Sequence, residues 1–196
     1  MLEGAVAHGL LDVRGKSEKQ IRDEFASLIL SPGVERRFLF TIDHTAELKK
    51  LARRFEDTDR PWLAALLYAT WVEHVLNELI TVAISRKGEP DALATRIIRD
   101  VQLSAKLDWL LPLLGFRPIG QTHAERLRKL AEFRNQYAHY KWPHIDLDKG
   151  EPSSKAVSTF LIDCRPTLAF LARYASSQLL GVSRAKLRRA VAPADP

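Results

Sequence analysis

Arg134, Asn135 and His139 are the residues of this chain whose types and spacing suit chemistry. They lie in Arg134-Asn135-Gln136-Tyr137-Ala138-His139, inside a segment from Leu127 to Lys141 that stops against Trp142-Pro143. Arginine presents a planar, permanently charged fork that matches phosphate oxygens. Histidine titrates near neutral pH and can take a proton from a nucleophile or give one to a leaving group. Asn135, one helical turn before His139, can orient the imidazole or the phosphate. On RNA the 2′-hydroxyl is a built-in nucleophile, so such a set requires no metal or other cofactor in principle. Lys141 and Trp142 follow as candidate substrate contacts, an ammonium for a phosphate and a ring for a base. Trp142 also suits the plainer task of plugging the helix end.

The helix that must carry this set has an internal conflict. At about 100° per residue, Leu127, Leu130, Phe133, Tyr137 and Ala138 gather on one face, and Arg134 falls among them. A charge in an apolar stripe is expensive unless it is paired or its stem snorkels. Glu73, at the edge of an earlier helix beside Asn77, is placed to meet Arg134 across a helix pair, either as part of the site or as a structural ion pair. His74 and Glu78 point away from that edge.

Other constellations are weaker. Asp146 and Asp148 near His144 read as a solvated acidic loop before they read as a cation site. His8, His44 and His123 have no chemical company. Trp62, Trp71 and Trp109 read as core packing. A glycine-rich phosphate loop, His-Glu-x-x-His, paired cysteines and Gly-x-Ser-x-Gly are all absent from the sequence.

With 196 residues and 46% hydrophobic content, the chain has material for one compact domain with an appendage. No run approaches the roughly 18 apolar residues of a membrane span. The opening Met-Leu-Glu-Gly does not read as a signal peptide. Cys164 is the only cysteine, which excludes an internal disulfide and a thiolate-rich metal site within one chain and makes a cytoplasmic setting the expectation. Lys and Arg number 30 against 24 Asp and Glu, a net charge of +6 that is compatible with a polyanion partner. Much of the excess lies in Arg184, Lys186, Arg188 and Arg189, which read as a solvated tail or as RNA contacts.

Taken in order, residues 1–16 look loosely ordered. Ser17 caps a helix from Glu18 to Leu30, with Ile21, Phe25, Leu28 and Ile29 inward. Arg36 to Ile42 is ambiguous between strand and coil. Asp43 caps a helix through Phe55. The long helix runs from Pro61 to Arg86, and its rows Leu63, Leu67, Trp71, Val75, Leu79 and Val72, Leu76, Ile80, Ile84 give it a broad apolar face suited to the centre of a bundle. Asp91 caps a helix to Val101 with Leu93, Ile97, Ile98 and Val101 inward. Ser104 caps a short helix to Leu114, tightened or kinked by Pro112. The motif helix starts near Thr122. Pro143 to Pro152 reads as an acidic loop. From Ser154 a helical period runs to Leu179 across Pro166, which predicts a kink or two abutting helices, and Gly181 closes it. The last dozen residues read as frayed. The class is all-α, with no strand set able to make a sheet.

The segment Leu127-Arg-Lys-Leu-Ala-Glu-Phe-Arg-Asn-Gln-Tyr-Ala-His139 resembles the signature of the HEPN superfamily, small α-helical bundles carrying Arg-x(4–6)-His with a polar residue often directly after the arginine. Tyr68-Ala-Thr-Trp-Val-Glu-His-Val-Leu-Asn-Glu-Leu-Ile80 is similar to the family's earlier helix, which often carries an acidic residue, here Glu73. Leu103-Ser-Ala-Lys-Leu-Asp-Trp-Leu110 is similar to the piece between the two. The likeness covers roughly residues 60–180. It implies 59–182 as the HEPN-like bundle and does not explain residues 1–55, so that 1–58 read as a helical, partly flexible extension and 183–196 as a basic tail.

The resemblance also implies a homodimer whose motif helices face each other, with Arg134 and His139 of both chains lining one cleft. In catalytic relatives that cleft is a metal-independent endoribonuclease site, commonly in toxins or defence effectors held in check by an antitoxin or other regulatory protein. Arg134 and His139 would then be catalytic, with Asn135, Glu73 and Tyr140 auxiliary. The rival implication is a non-catalytic bundle of the same fold that binds RNA, a nucleotide or a protein. One departure stands out. The toxin–nucleotidyltransferase branch carries a tyrosine two positions after the histidine, where this chain has Lys141, with Tyr140 one place earlier. Control by modification of that tyrosine is therefore not expected here.

Overall fold

The computed structural model describes residues 1–31, 45–56, 58, 60–138, 154–182 and 184–191. Among them every regular element is helical, and the fold is an all-α bundle. The expectations for Arg36–Ile42, Asp43 and Pro143–Pro152 fall outside the described residues.

The bundle is built around helix α4, Pro61–Arg86. Proline at its first position has the right φ and no N–H to lose there. Both expected rows point inward, with Leu63 and Leu67 only partly buried, but so do Ala64, Ala65, Tyr68, Ala69, Val82 and Ala83. A helix this apolar on so many sides has to be covered on several of them. It is covered by α3 (Thr45–Glu56), α5 (Asp91–Asp100), α8 (Gln121–Ala138) and α9 (Ser154–Leu180). Along the remaining edge Glu73 and Asn77 are partly buried and His74 and Glu78 exposed, as the pattern predicts. No helix among the described residues is long and apolar enough to cross a membrane.

Helix α2, Glu18–Leu30, begins with a full capping box in which Ser17 accepts from the Gln20 N–H and Gln20 returns a bond to the Ser17 N–H. Ile21 is buried, whereas Ile29 is exposed. Residues 1–16 are not loose. They contain helix α1, Leu2–Ala7, whose Leu2, Ala5 and Val6 enter the core together with Leu11 and Val13. Six residues are too few to display a helical period, but their i, i+3, i+4 spacing is what buries them. Helix α1 rests on α9 and on α10, Arg184–Val191. Helix α10 in turn packs on α2.

Helix α10 corrects the expectation of a frayed tail over its own span. Leu187 and Ala190 are buried, and the polar side chains tie back to the N-terminal segment. Lys186 Nζ donates to the Lys16 carbonyl at 2.6 Å, Arg22 Nε to the Ala190 carbonyl at 2.7 Å, and Arg189 pairs with Glu18 at 2.7 Å. Part of the C-terminal positive charge is therefore used within the fold.

Between α4 and α8 the chain is more broken than periodicity predicts. Helix α5 has Pro90, not Asp91, at its N-cap, with Asp91 in the first turn where its charge suits the helix dipole. Ala94 is buried and Leu93 exposed, because Ala94, Ile97 and Ile98 form the inward row. The next segment starts as a short helix α6, Leu103–Ala105, capped at Gln102 and not at Ser104. It widens into a π-helical turn, Lys106–Leu110, and ends as α7, Leu111–Leu113. Pro112 has no N–H for the Asp108 carbonyl, and the wider turn, with Leu111 N–H on the Lys106 carbonyl, relieves that crowding. The turn is thus widened where a tightening or a kink was expected. Trp109 faces away from the buried Leu107 and Leu110 and is 52% exposed. Of the three tryptophans assigned to the core, Trp71 is buried and Trp62 partly so.

Helix α9 runs unbroken through Pro166. The missing N–H would have served the carbonyl of Ile162, a residue on the exposed side of the helix. Gly181 follows at φ +64°, the left-handed conformation that stops a helix. Cys164, on the inner face, is buried, and burial pushes its thiol up to about 11.

Candidate functional site

Helix α8 carries the motif, and α4 answers it. Leu127 and Leu130 of α8 are fully buried, and Phe133 lies edge-on to Trp62 with ring centres 5.7 Å apart and tilted 5.0 Å from Phe160. These contacts fix the rotation of α8. They turn Arg134 toward α4, where its guanidinium donates through Nη2 to the Glu73 carboxylate. Both side chains are partly buried, at 28% and 31% exposure. The Nε–H of Arg134 is fully buried and has no hydrogen-bond partner among the described residues. The arginine in the apolar stripe is thus matched in charge by Glu73 and, among the described residues, one hydrogen-bond partner short.

A second buried cation stands near the same carboxylate. Lys106, first residue of the π-helical turn, is 6% exposed. Its Nζ donates to Asn77 Oδ1 and to the Ile98 carbonyl, each at 2.9 Å. Asn77 is one turn along α4 from Glu73. Burial draws the Lys106 pKa down, while the Glu73 charge opposes that shift. Glu73, Asn77, Lys106 and Arg134 thus join α4, the π turn and α8 in one polar cluster with one carboxylate and two cations.

The start of α8 holds a separate histidine contact. His123 Nδ1 shares a hydrogen bond with Thr167 Oγ1 at 3.0 Å, and its ring stacks on Phe170 at 4.0 Å and 10°. Burial lowers the His123 pKa, reinforced by the charges of Arg126 and Arg173. This is a packed histidine with partners, where the sequence suggested none.

Of the candidate residues, the structure brings Arg134 and Glu73 together and leaves Asn135 exposed on α8. His139, Tyr140, Lys141 and Trp142 lie outside the described residues, as do His144, Asp146 and Asp148. Among the described residues no group of three or more His, Cys, Asp and Glu side chains is placed to hold a metal ion. Lys106 and Asn77 were not singled out from the sequence. The signal was there, since Lys106 sits among Leu103, Leu107 and Leu110 just as Arg134 sits among its apolar neighbours. The basic face of α3 was also missed. Lys49, Lys50, Arg53 and Arg54 line one shallow depression, with Lys49 Nζ 4.6 Å above the Trp71 ring. Against known proteins, a scan of family models, a search of the curated proteins and a search of the solved structures each find no match.

Proposed function

We propose that the chain is a metal-independent endoribonuclease of HEPN type that acts as a homodimer in a toxin or defence setting under a regulatory partner. The observation that carries this reading is Arg134, held by Glu73 on a packed helix with a buried Nε–H that has no partner among the described residues. Asn135 is exposed beside it, and His139 follows five positions on in the sequence. A fixed guanidinium with spare donors suits a phosphodiester that gains charge during reaction. In the proposed step the RNA 2′-oxygen bonds to the adjacent phosphorus and passes its proton to His139. The bond from phosphorus to the 5′-oxygen breaks, and that oxygen takes up a proton. Arg134 stabilises the charge on the non-bridging oxygens. The products are a 2′,3′-cyclic phosphate and a 5′-hydroxyl. The basic face of α3 adds a surface suited to a polyanion.

The second reading is an RNA- or nucleotide-binding bundle that does not cut. The Glu73–Arg134 pair favours it, because a guanidinium already engaged by a carboxylate has less to give a phosphate. Incubating RNA with the full chain in EDTA separates the two. Chelator-resistant cleavage that leaves cyclic-phosphate ends, and that is lost in Arg134→Ala and His139→Ala, supports the enzyme. Intact RNA across varied substrates, with folded protein and measurable binding, selects the second reading. A chain that is strictly monomeric by sedimentation overturns the composite cleft.

A further inference from the structure

We infer that Lys106 is a positioning residue for the Arg134 site: its buried ammonium offsets the charge of Glu73, so that Glu73 can hold the guanidinium without cancelling its pull on a phosphate. This inference rests on the reading of Arg134 as a phosphate-binding group.

Glu73 alone against Arg134 would leave a neutral pair, a poor anchor for an anion. With Lys106 included, one carboxylate faces two cations, and the cluster carries a net positive charge. Burial draws the Lys106 pKa down, and three features of its surroundings act the other way. Both acceptors are carbonyl oxygens at 2.9 Å. One of them, on Ile98, belongs to the last turn of α5, where the helix dipole favours a cation. Glu73 acts in the same direction. The ammonium is also fixed in place, because it is bonded to α4 and α5 at once and anchored in a π turn whose backbone is set by Pro112. Lys106 itself is too buried to meet RNA directly. Its effect on a bound phosphate must pass through Glu73 and Arg134.

A purely structural lysine would tie α5 to α4 and do nothing more. The two roles separate in a double-mutant cycle of Lys106→Met and Glu73→Gln in the full chain. The probe is a 2′-O-methyl oligoribonucleotide, whose blocked 2′-oxygen prevents cleavage and leaves binding as the readout. Lys106→Met exposes Arg134 to the full charge of Glu73, and its Kd rises about tenfold. Adding Glu73→Gln to Lys106→Met removes that charge and brings the Kd back to within about threefold of wild type. If Lys106→Met does not fold by circular dichroism, Lys106→Gln replaces it, since its amide keeps a donor for Asn77 or Ile98 and lacks the charge. A variant that binds as wild type overturns the inference, and so does a loss that Glu73→Gln fails to restore. The first shows no electrostatic role and the second a structural one. Wild-type protein that does not bind the oligonucleotide at all overturns the reading of Arg134 and the inference with it, an outcome distinct from a wild type that binds and a variant that is unchanged.

Discussion

Glu73 on α4 and Arg134 on α8 are 61 positions apart in sequence and form an ion pair across the helix interface. Each is about seven-tenths buried, so the pair lies between an exposed salt bridge, which contributes little, and a buried one, whose disruption is costly. Glu73→Gln takes the charged acceptor from a guanidinium whose buried Nε–H already has no partner among the described residues. The expected cost is about 1–3 kcal/mol in urea unfolding. Arg134→Gln takes the bonded guanidinium from the carboxylate, leaving the Lys106 ammonium as its nearby cation, and costs no more than that. The double variant loses less than the sum of the two, because each single change removes the same ion pair. Additive losses would mean that the two side chains do not interact in solution.

The basic face of α3 makes a prediction about salt. Lys50 and Arg54 are exposed on the depression that Lys49 and Arg53 also line. Phosphate contacts by such side chains release counterions and set the slope of log affinity against log salt, by about 0.7 per contact on a single strand. The Lys50→Gln/Arg54→Gln pair is expected to flatten that slope by about 1–1.5 and to leave thermal stability nearly unchanged. Fluorescence anisotropy on single-stranded RNA between low and moderate salt reads it. An unaltered slope would remove α3 from the RNA surface.

Helices α2, α4, α8 and α9 were legible because each carries several turns of apolar spacing and a clear boundary residue, such as Ser17, Pro61 or Gly181. Helices α1 and α10 were not, since their burial rests on a few residues and on bonds to distant carbonyls. Arg22 on Ala190 and Lys186 on Lys16 have no signature in local sequence. The site was half legible. Arg134 stood out because charge on an apolar face is costly, and its pairing with an edge carboxylate could be anticipated. Lys106 obeys the same logic but was hidden inside a short leucine-rich stretch whose π turn no periodicity predicts. Trp109 shows the opposite error, since helical spacing suggested core where the side chain faces solvent.

His123 gives a pH prediction whose sign follows from its packing. Its pKa is lowered from 6.5 in the folded state by burial and by Arg126 and Arg173. As pH falls below 6.5 the unfolded chain takes up this proton first, so the contribution present above 6.5 is lost as pH falls through the folded value. The urea midpoint should therefore drop more between pH 7.5 and pH 5 in wild type than in His123→Gln, which does not titrate there. Nuclear magnetic resonance of the ring should place the folded midpoint below 6.5. Equal losses in the two proteins would show that His123 does not contribute to the acid dependence.

Arg86, the last residue of α4, makes the most local prediction. Its Nε donates to the Ala7 carbonyl at 2.7 Å, and its two terminal nitrogens to the carbonyls of Leu179 at 2.5 Å and Gln178 at 3.4 Å. These carbonyls end α1 and α9, where no intrahelical donor remains for them. One guanidinium therefore joins the ends of three helices. Arg86→Met should cost about 1–3 kcal/mol, as charge-assisted bonds to partly buried carbonyls do. Amide exchange should quicken in α1, whose last carbonyl this guanidinium holds, while the Leu127–Leu130 turn of α8 keeps its protection. Arg86→Lys should recover less than half of the loss, because an ammonium bonds from a single nitrogen and does not reach the three carbonyls that the flat fork meets with three separate nitrogens. Full recovery by lysine would show that charge alone, and not the fork, closes this end of the bundle.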